Sequence, residues 1–414
     1  MKMPAMLVNG LRRNPYPVYA VLRRTSPVLR LRDGIWGVFD FESVKRTLQE
    51  PEVFSSRAAP PGGGPLDWLI FQDPPRHTAL RGLISRTFTP RAVAGLESRV
   101  HILANQLLDE VVERGAMDLV TDFSERLPLL VIADLIGVPP ADVPRLTGWG
   151  NALLGAGDAI YGGERAARAV RDFRAAKDEM RPYLQALLGA RRAAPRDDLL
   201  TRLVEAEVND DRLSDEEIFD FFQLLFIAGT ETTTNLIANT VLCFLAHPEQ
   251  QALVRATPAL LPAAIEEVVR FRSPLQMVFR TTTREVALRG QVIPAGALVL
   301  PMIGSANRDP RQFRHANRFD VTRTGEPHVG FGHGAHYCIG AALARMEARI
   351  AIGALLERTP DLQRARRGGW APRTAINVHG PQSLPVRFTS AARLGAGEGL
   401  APTGSAQGET RNSS

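Results

Sequence analysis

Cysteine is scarce in this sequence, and Cys243 and Cys338 are the only two among 414 residues. Two thiols cannot form the disulfide framework that stabilises small secreted domains, so each cysteine needs its own explanation. The N-terminal segment MKMPAMLVNG also has too few consecutive apolar residues for the core of a secretory signal. Both absences indicate a reducing compartment, and we expect a cytoplasmic protein.

Long hydrophobic runs and blocks of like charge are absent as well. No stretch approaches the ~18 apolar residues of a membrane-spanning helix, so no membrane span is expected. Lys and Arg number 50 against 44 Asp and Glu, which gives a formal net charge of +6. The basic residues are scattered through helical segments instead of forming one block, so nucleic acid is not expected as a partner. The excess could face an acidic protein partner or simply solvent.

Helical periodicity dominates residues 75–260, where apolar residues recur at spacings of three and four. Before this region, VLRLRDGIWGVF is typical of two short strands. After it, residues 278–300 contain a hairpin that turns near Gly290, and a further strand pair is predicted near Ile376 and 384–388. The pattern therefore predicts a mainly α fold with a small β region.

The sequence indicates one large folded unit with a tail. No change in composition divides residues 1–390, so a single domain is expected there. Residues 58–64, AAPPGGG, cannot form a regular element, and the apolar cluster that follows them predicts a loop over an apolar site. Residues 391–414 are small, polar and rich in glycine, which predicts a disordered C-terminal tail.

The longest predicted helix begins at Ser214 and Glu217, which form the S-x-x-E pattern of a capping box. Its periodicity continues to about Ala246, so the helix would be roughly 48 Å long and would cross the molecule. Its centre reads AGTETTTN, a segment that helix propensity disfavours because it contains glycine and four β-branched threonines. Either a function or packing at a kinked helix would explain these residues.

Cys338 lies in the glycine-rich segment FGHGAHYCIG, directly before the predicted helix AALARMEARIAIGALLER. Glycine allows tight turns and lets the backbone approach a flat ligand closely. Free amides at the helix N-terminus would lower the pKa of the thiol, which suits a metal ligand. A buried structural cysteine is one alternative. Zinc held with His333 and His336 is another, although this spacing fits no common zinc pattern. Cys243 lies among apolar residues and is predicted to be part of the core.

Two further pairs lie at helical spacings. Glu267 and Arg270 can pair as i and i+3, and His77 and Arg81 lie on one helix face as i and i+4. Such pairs usually face water and contribute little to stability. By themselves they assign no function.

The cysteine segment resembles the haem-binding loop of the cytochrome P-450 family, F-G-x-G-x-H-x-C-x-G. The matching residues are Phe331, Gly332, Gly334, His336, Cys338 and Gly340. This motif is highly specific, and the resemblance extends from about Pro15 to Phe388. It implies the family's fold, in which a long central helix lies over a haem b, and it implies that the Cys338 thiolate holds the iron.

Three other segments resemble patterns of the same family. AGTETT resembles A-G-x-[DE]-T-[TS], where the helix opens over the haem, and this implies that Ala228 contacts the haem and that Glu231 and Thr232 deliver protons. IEEVVRF resembles E-x-x-R, a buried structural pair that would be Glu267 and Arg270 here. DPPRHTALR resembles the helix whose His and Arg bind a haem propionate. The implied propionate ligands are His77, Arg81, Arg280 and His336.

The resemblance implies a bacterial-type monooxygenase that inserts one oxygen atom of dioxygen into an organic substrate, by hydroxylation or epoxidation, in secondary metabolism. Electrons from NAD(P)H are expected to arrive through a separate acidic ferredoxin, or a similar donor, and its reductase. Arg345 and Arg349, beside the thiolate loop, are expected to steer that donor. Oxidative coupling, a peroxide-driven reaction and a non-catalytic haem or zinc protein are the alternatives. The Glu231 and Thr232 pair argues against the peroxide-driven reaction.

The implied substrate pocket is mostly apolar. This favours a hydrophobic small molecule, such as a polyketide, terpenoid or peptide scaffold, over a charged metabolite. The pocket residues implied by the resemblance are Leu66, Leu69, Ile70, Leu225, Ala228, Leu275, Val278, Asn377 and Val378.

Overall fold

The computed structural model describes residues 10–57, 67–155, 163–208, 211–366, 370–373, 375 and 377–394. Leu66, Ile376 and the predicted tail from residue 395 onward lie outside the described residues. The described chain is mainly α-helical with small sheets, as predicted. The helices are α1 (Tyr16–Thr25), α2 (Phe41–Gln49), α3 (Arg76–Thr87), α4 (Pro90–Ala94), α5 (Glu97–Asp109), α6 (Arg126–Ile136), α7 (Val143–Gly155), α8 (Gly163–Ala193), α9 (Leu199–Glu205), α10 (Asp215–Ala246), α11 (Pro248–Ala256), α12 (Leu261–Phe271), α13 (Ile303–Ala306) and α14 (Ala341–Arg358).

The long helix α10 has the bounds that the sequence predicts. The Ser214 hydroxyl accepts the amide hydrogen of Glu217, and the Glu217 carboxylate accepts the amide hydrogen of Ser214, which completes the capping box. Three acidic residues in the first turn also favour the helix N-terminus electrostatically. The helix therefore starts at a defined point and continues to Ala246.

A large apolar core surrounds α10. This helix packs against α6, α12 and α14, and α14 packs in turn against α5. Each fully buried aliphatic side chain in such a core contributes about 1.5–3 kcal/mol. Cys243 belongs to this core, and burial raises the pKa of its thiol to about 11. Representative core residues from the five helices are Leu107, Ile132, Ile237, Val268 and Ile350.

The main sheet has five strands in the order β1, β2, β10, β7, β3. Antiparallel β1 and β2 form the predicted N-terminal strand pair around Gly34, whose φ of +71° suits glycine. The predicted hairpin near Gly290 is present as β8 and β9, but β10 leaves that hairpin and pairs in parallel with β2. The strands are β1 (Val28–Arg32), β2 (Ile35–Val38), β3 (Phe54–Ser55), β7 (Arg280–Thr282), β8 (Val286–Leu288), β9 (Gln291–Ile293) and β10 (Leu298–Pro301).

β4, β5 and β6 lie within residues 75–260, where the sequence predicts helix alone, whereas β14 lies in the strand predicted at 384–388. β4 pairs with β14, which joins β11 in a three-stranded sheet, and β12 pairs with β13. β4 escapes prediction because it has three residues and its partner is distant in sequence. These strands are β4 (Ala116–Asp118), β5 (Glu207–Val208), β6 (Asp211–Arg212), β11 (Gln363–Arg364), β12 (Ala371–Pro372), β13 (Pro381–Ser383) and β14 (Pro385–Arg387).

Among the helices of the described residues, none combines the length and the apolar character that crossing a bilayer requires.

Candidate active site

The cysteine loop, residues 331–340, is folded by its own backbone. The amide of Cys338 donates to the carbonyl oxygen of Phe331 at 2.8 Å. The amide of Tyr337 donates to the carbonyl oxygen of Gly334 at 3.0 Å. Gly332 and Gly334 have φ of +79° and +70°, in the left-handed region that favours glycine. A Cβ on Gly334 would lie 3.0 Å from the carbonyl oxygen of Leu48, at the end of α2. Glycine therefore lets the loop turn back on itself and contact α2.

The Cys338 side chain is exposed, and Gly340 lies at the N-terminal cap of α14. The structure corrects one expectation here: the pKa of the Cys338 thiol is raised, not lowered. The protein atoms around the loop desolvate the thiolate, and this outweighs the opposing effects of the Gly340 amide and of Arg81 and Arg345. The thiol is reachable, but the protein alone does not ionise it.

The four predicted propionate ligands, two arginines and two histidines, lie together: His77, Arg81, Arg280 and His336. The rings of His77 and His336 have centroids 4.1 Å apart, and the Arg81 guanidinium donates to the carbonyl oxygen of Tyr337 at 2.6 Å. Burial, followed by the nearby cations, lowers the pKa of His336 to about 3 and also lowers that of His77. Burial lowers the pKa of Arg280 to about 10. The cluster therefore suits an anionic ligand.

His77 is the member of this cluster whose polar atoms are unpaired within the described part of the protein. Its side chain is 1% exposed, and among the described residues neither ring nitrogen has a hydrogen-bond partner. Buried polar atoms are nearly always paired in folded proteins. The carboxylates of a haem propionate match both the charge and the hydrogen-bonding needs of this site. The residues present therefore fit a haem.

Ser56 and Asp73 join this cluster, although the sequence reasoning missed them. The Ser56 hydroxyl lies 2.9 Å from Nε2 of His336, and the Ser56 amide donates to Asp73 at 2.8 Å. The charge of Asp73 opposes the lowering of the pKa of Arg280 and of His77. Asp73 stands in the quoted DPPRHTALR segment and could have been singled out, whereas Ser56 has no sequence signal because its partner is far along the chain.

The centre of α10 is an unbroken α-helix, so the opening implied by the family resemblance is not seen as a break. The hydroxyl of Thr232 donates to the carbonyl oxygen of Ala228 at 2.6 Å, and that of Thr230 donates to Phe226 at 2.6 Å. Ala228 is exposed although α10 crosses the core. A Cβ on Gly229 would lie 2.9 Å from Ile132. Small residues thus allow α6 to pack closely on one side of the helix.

Glu231 is a half-buried carboxyl in the same segment. The pKa of Glu231 is raised, mainly by burial. The charge of Arg373 opposes this rise, and the charge of Glu125 adds to it. A carboxyl with a raised pKa keeps its proton to higher pH than an exposed carboxyl does, which suits a group that donates protons. Glu231 and Thr232 are adjacent in sequence, and both side chains are only partly buried.

Glu267 and Arg270 form a buried ion pair on α12, with hydrogen bonds of 2.7 and 2.8 Å. Arg270 also donates to the carbonyl oxygens of Asn307 and Ala316 at 2.8 and 2.9 Å. The Glu267 carboxylate lies 3.1 Å from Arg323, which the sequence reasoning missed. The pair therefore ties α12 to the chain that leads into the cysteine loop.

The predicted substrate residues are placed in three segments. Leu69 and Ile70 belong to a short 3-10 helix that packs against α10, where Leu225 and Ala228 lie. Leu275 and Val378 form an antiparallel β-bridge, and the amide of Gln276 donates to the carbonyl oxygen of Asn377 at 2.7 Å. Leu69, Leu225 and Val378 are buried, Leu275, Val278 and Asn377 are half-buried, and Ala228 and Ile70 are exposed.

Arg345 and Arg349, the residues expected to steer the donor, are each paired with a carboxylate. Arg345 forms hydrogen bonds of 2.6 and 2.9 Å with Glu266, and Arg349 bonds to Glu97 at 2.5 Å. The guanidinium of Arg345 also lies 4.3 Å from the ring centroid of Phe331. Their charges are therefore compensated locally, and Arg345 supports the cysteine loop.

The zinc alternative finds no geometry to support it. In the part of the chain that the structure describes, no three His, Cys, Asp or Glu side chains converge in a way that could hold a metal ion. Arg81 instead contacts the cysteine loop, and this places the Cys338 thiol near the cluster of arginines and histidines.

Comparisons with known proteins agree with this geometry. Residues 161–257 and 258–359 match the family model described as cytochrome P-450. The chain is 40% identical to cytochrome P-450 107B1 of Saccharopolyspora erythraea over 88% of this chain and 93% of that protein. It is 40% identical to the cyclomarin C epoxidase CymV of Salinispora arenicola over 81% of this chain and 87% of that protein. The ligand-free structure of cytochrome P-450 TbtJ1 superposes with a TM-score of 0.85 and 40% identity, covering 90% of this chain and 97% of that one.

Proposed function

The chain belongs to the cytochrome P-450 family and is an oxidoreductase of the monooxygenase class, and from that premise we propose that it hydroxylates or epoxidises a hydrophobic small molecule. We further propose that the reaction belongs to bacterial secondary metabolism. The name of the Salinispora arenicola relative, an epoxidase, supports epoxidation as one outcome. The mostly apolar side chains of the proposed pocket support a hydrophobic substrate.

One observation carries the proposal: the Cys338 loop lies beside a cluster of two arginines and two histidines, in which both ring nitrogens of the buried His77 lack a partner among the described residues. A haem b is the cofactor that needs both a thiolate and cationic partners for its propionates. Cys338 would hold the iron, and His77, Arg81, Arg280 and His336 would hold the propionates. Phe331, Gly332, Gly340 and Ala228 would contact the macrocycle. The bound haem would supply the activation of dioxygen.

The protein's own contribution to the chemistry is proton delivery and positioning. Glu231 would take up protons, since burial keeps its pKa above the ordinary value. The Thr232 hydroxyl donates to Ala228, so its oxygen is free to accept a hydrogen bond from a water that would deliver the proton. The substrate would be oriented by Leu69, Ile70, Leu225, Leu275, Val278, Asn377 and Val378, with Leu66 beyond the described residues.

Electrons from NAD(P)H would reach the protein through a ferredoxin and its reductase. The net charge of +6 is consistent with an acidic donor. Arg345 and Arg349, beside the cysteine loop, would contribute to the surface that the donor meets, although each is also paired with a carboxylate. Oxidative coupling remains the second candidate reaction. The presence of Glu231 and Thr232 favours the dioxygen-dependent route over a peroxide-driven one.

The test starts from the purified protein with its haem. Its ferrous carbon monoxide complex should show the strongly red-shifted Soret band of a thiolate ligand, and a histidine-type spectrum would contradict the proposal. A library of polyketides, terpenoids, peptides and charged metabolites should then be screened for substrate-induced Soret shifts. Hits should be incubated with donor proteins, NAD(P)H and dioxygen labelled with heavy oxygen. One labelled oxygen atom in the product is expected, and an unlabelled coupled product would favour the second candidate.

A further inference from the structure

Arg373 is fixed between α10 and the start of α6. Its Nε donates to the Asn235 side-chain oxygen at 3.1 Å, and its terminal nitrogen lies 3.9 Å from the Glu125 carboxylate. The Arg373 side chain is 16% exposed, and that of Glu125 is 39% exposed. The guanidinium thus lies between a wholly buried amide and a carboxylate that solvent reaches.

Asn235 holds this guanidinium in a defined place. Its side chain is fully buried on α10, and a Cβ on Gly380 would lie 2.1 Å from its oxygen. The Arg373 amide also donates to the carbonyl oxygen of Gly380 at 3.1 Å. Backbone and side chain of Arg373 are therefore both tied to the contact between this segment and α10.

Glu231 precedes Asn235 by one helical turn, so the two side chains lie on the same face of α10. The guanidinium bonded to Asn235 is therefore anchored one helical turn from Glu231, and its charge acts on the Glu231 carboxyl. Arg373, from the C-terminal segment, and Glu125, from the start of α6, are the charged groups of the described residues that act on Glu231. They act in opposite directions, because one is a cation and the other an anion.

We propose that Arg373 is a positioning residue for Glu231: anchored by Asn235 one helical turn away, it places a positive charge that favours the ionised Glu231 carboxylate, while the charge of Glu125 opposes it. This inference rests on the proton-delivery role of Glu231 in the proposed function. It adds Arg373, a residue outside the AGTETT segment, to the groups that set the ionisation of Glu231.

The charges predict shifts of opposite sign, which a merely structural role would not produce. Arg373→Gln removes a cation and should move the titration of Glu231 to higher pH. Glu125→Gln removes an anion that also holds Arg373, and it should move the titration to lower pH. Arg373→Lys keeps the charge and should stay near the wild type. Arg32→Gln, at an exposed position on β1, is the control and should cause no shift.

The measurement uses the haem-loaded protein in its diamagnetic ferrous carbon monoxide form. Glutamate labelled with carbon-13 at Cδ reports each carboxyl by NMR, and Glu231→Gln identifies the signal of Glu231. The pH profile of product formed per NADH consumed is recorded for the same variants and should move in the same directions. Haem content and unfolding temperature show whether each variant is folded.

Opposite shifts for Arg373→Gln and Glu125→Gln, with rescue by Arg373→Lys, support the inference. Unchanged or same-sign shifts in folded variants overturn it. If Arg373→Gln fails to fold, the Glu125→Gln variant decides: a shift of the Glu231 titration to lower pH supports the inference, and any other result overturns it. A wild-type protein without the thiolate spectrum would overturn the proposed function itself, whereas a normal spectrum with unshifted Glu231 overturns only the role of Arg373.

Discussion

The carboxylate of Glu267 and the guanidinium of Arg270 form two hydrogen bonds within one turn of α12, and both side chains are 1% exposed. The neighbouring residue, Glu266, forms a comparable pair with Arg345, but there the side chains are 39% and 37% exposed. Consecutive glutamates of one helix thus form one buried and one surface ion pair. Comparing the two pairs therefore shows how much burial adds to the stability cost of breaking an ion pair.

Replacing Glu267 by Gln should destabilise the protein strongly. The change leaves the buried Arg270 charge without its partner, which costs about 3–5 kcal/mol. Glu266→Gln breaks the more exposed pair and weakens the contact of Glu266 with His328 at 3.1 Å, and it should cost clearly less, about 1 kcal/mol. Denaturant unfolding of both variants, together with their haem content, measures the difference. Similar stabilities for the two variants would show that Glu267 is no more important than a surface contact.

The two cysteines should behave differently on substitution. Cys338 is exposed in the glycine-rich loop, whereas Cys243 is buried in the core. Cys338→Ala should abolish the red-shifted Soret band of the ferrous carbon monoxide complex, because alanine cannot ligate iron. Cys243→Ala should preserve the band at a modest cost in stability. An unchanged band in Cys338→Ala, or a lost band in folded Cys243→Ala, would show that the thiolate is assigned to the wrong residue.

His379 should make the folded protein less stable as the pH falls. Burial, and next the charge of Arg272, lowers the pKa of His379 to about 3. In the unfolded chain a histidine titrates near 6.5, so below that pH the unfolded state binds a proton that the folded state does not. The loss of folding free energy due to His379 is small above about pH 6.5 and grows to about 1.4 kcal/mol one pH unit lower.

Unfolding free energies at several pH values between about 7.5 and 5 test this expectation. His379→Asn should flatten the dependence compared with the wild type. His315→Asn is the control, because His315 is exposed and asparagine tolerates its φ of +51°. Equal slopes for the wild type and His379→Asn would show that His379 does not titrate differently in the two states.

Local sequence signals predicted the elements whose determinants are adjacent in the chain. The bounds of α10 follow from the capping box at Ser214 and from its apolar periodicity, and the turn at Gly290 follows from its glycine. Long-range pairings were missed because no local pattern records them. The parallel pairing of β10 with β2 and the contact between Arg373 and Asn235 are of this kind.

The candidate site shows the same division. The residues of the cysteine loop and of AGTETT were named from contiguous motifs, and the structure places His77, Arg81, Arg280 and His336 in one cluster. The pKa of Cys338 was predicted in the wrong direction, because a sequence shows a helix N-terminus but not how strongly the surrounding protein desolvates a thiolate. Similarly, the carboxylate partners of Arg345 and Arg349 come from other helices.

Thr232 and Thr230 offer a matched pair for testing proton delivery. Each hydroxyl donates to the carbonyl oxygen four residues earlier at 2.6 Å, so removal of either should affect helix packing similarly. They differ in exposure, because Thr230 is buried and Thr232 is only partly buried beside the exposed Ala228. The comparison therefore separates a role in proton delivery from a role in the helix.

Thr232→Ala should leave folding, the thiolate spectrum and substrate binding intact while uncoupling the reaction. Without the hydroxyl, protons no longer reach the reacting dioxygen in the correct order, and electrons are diverted to hydrogen peroxide. NADH consumption should stay near the wild-type rate, while product per NADH falls by roughly tenfold, somewhat below the usual range for losing general acid catalysis. Thr230→Ala should keep its coupling. If Thr232→Ala also stays coupled, its hydroxyl serves only the packing of α10, and proton delivery must run through Glu231, Thr233 or the substrate.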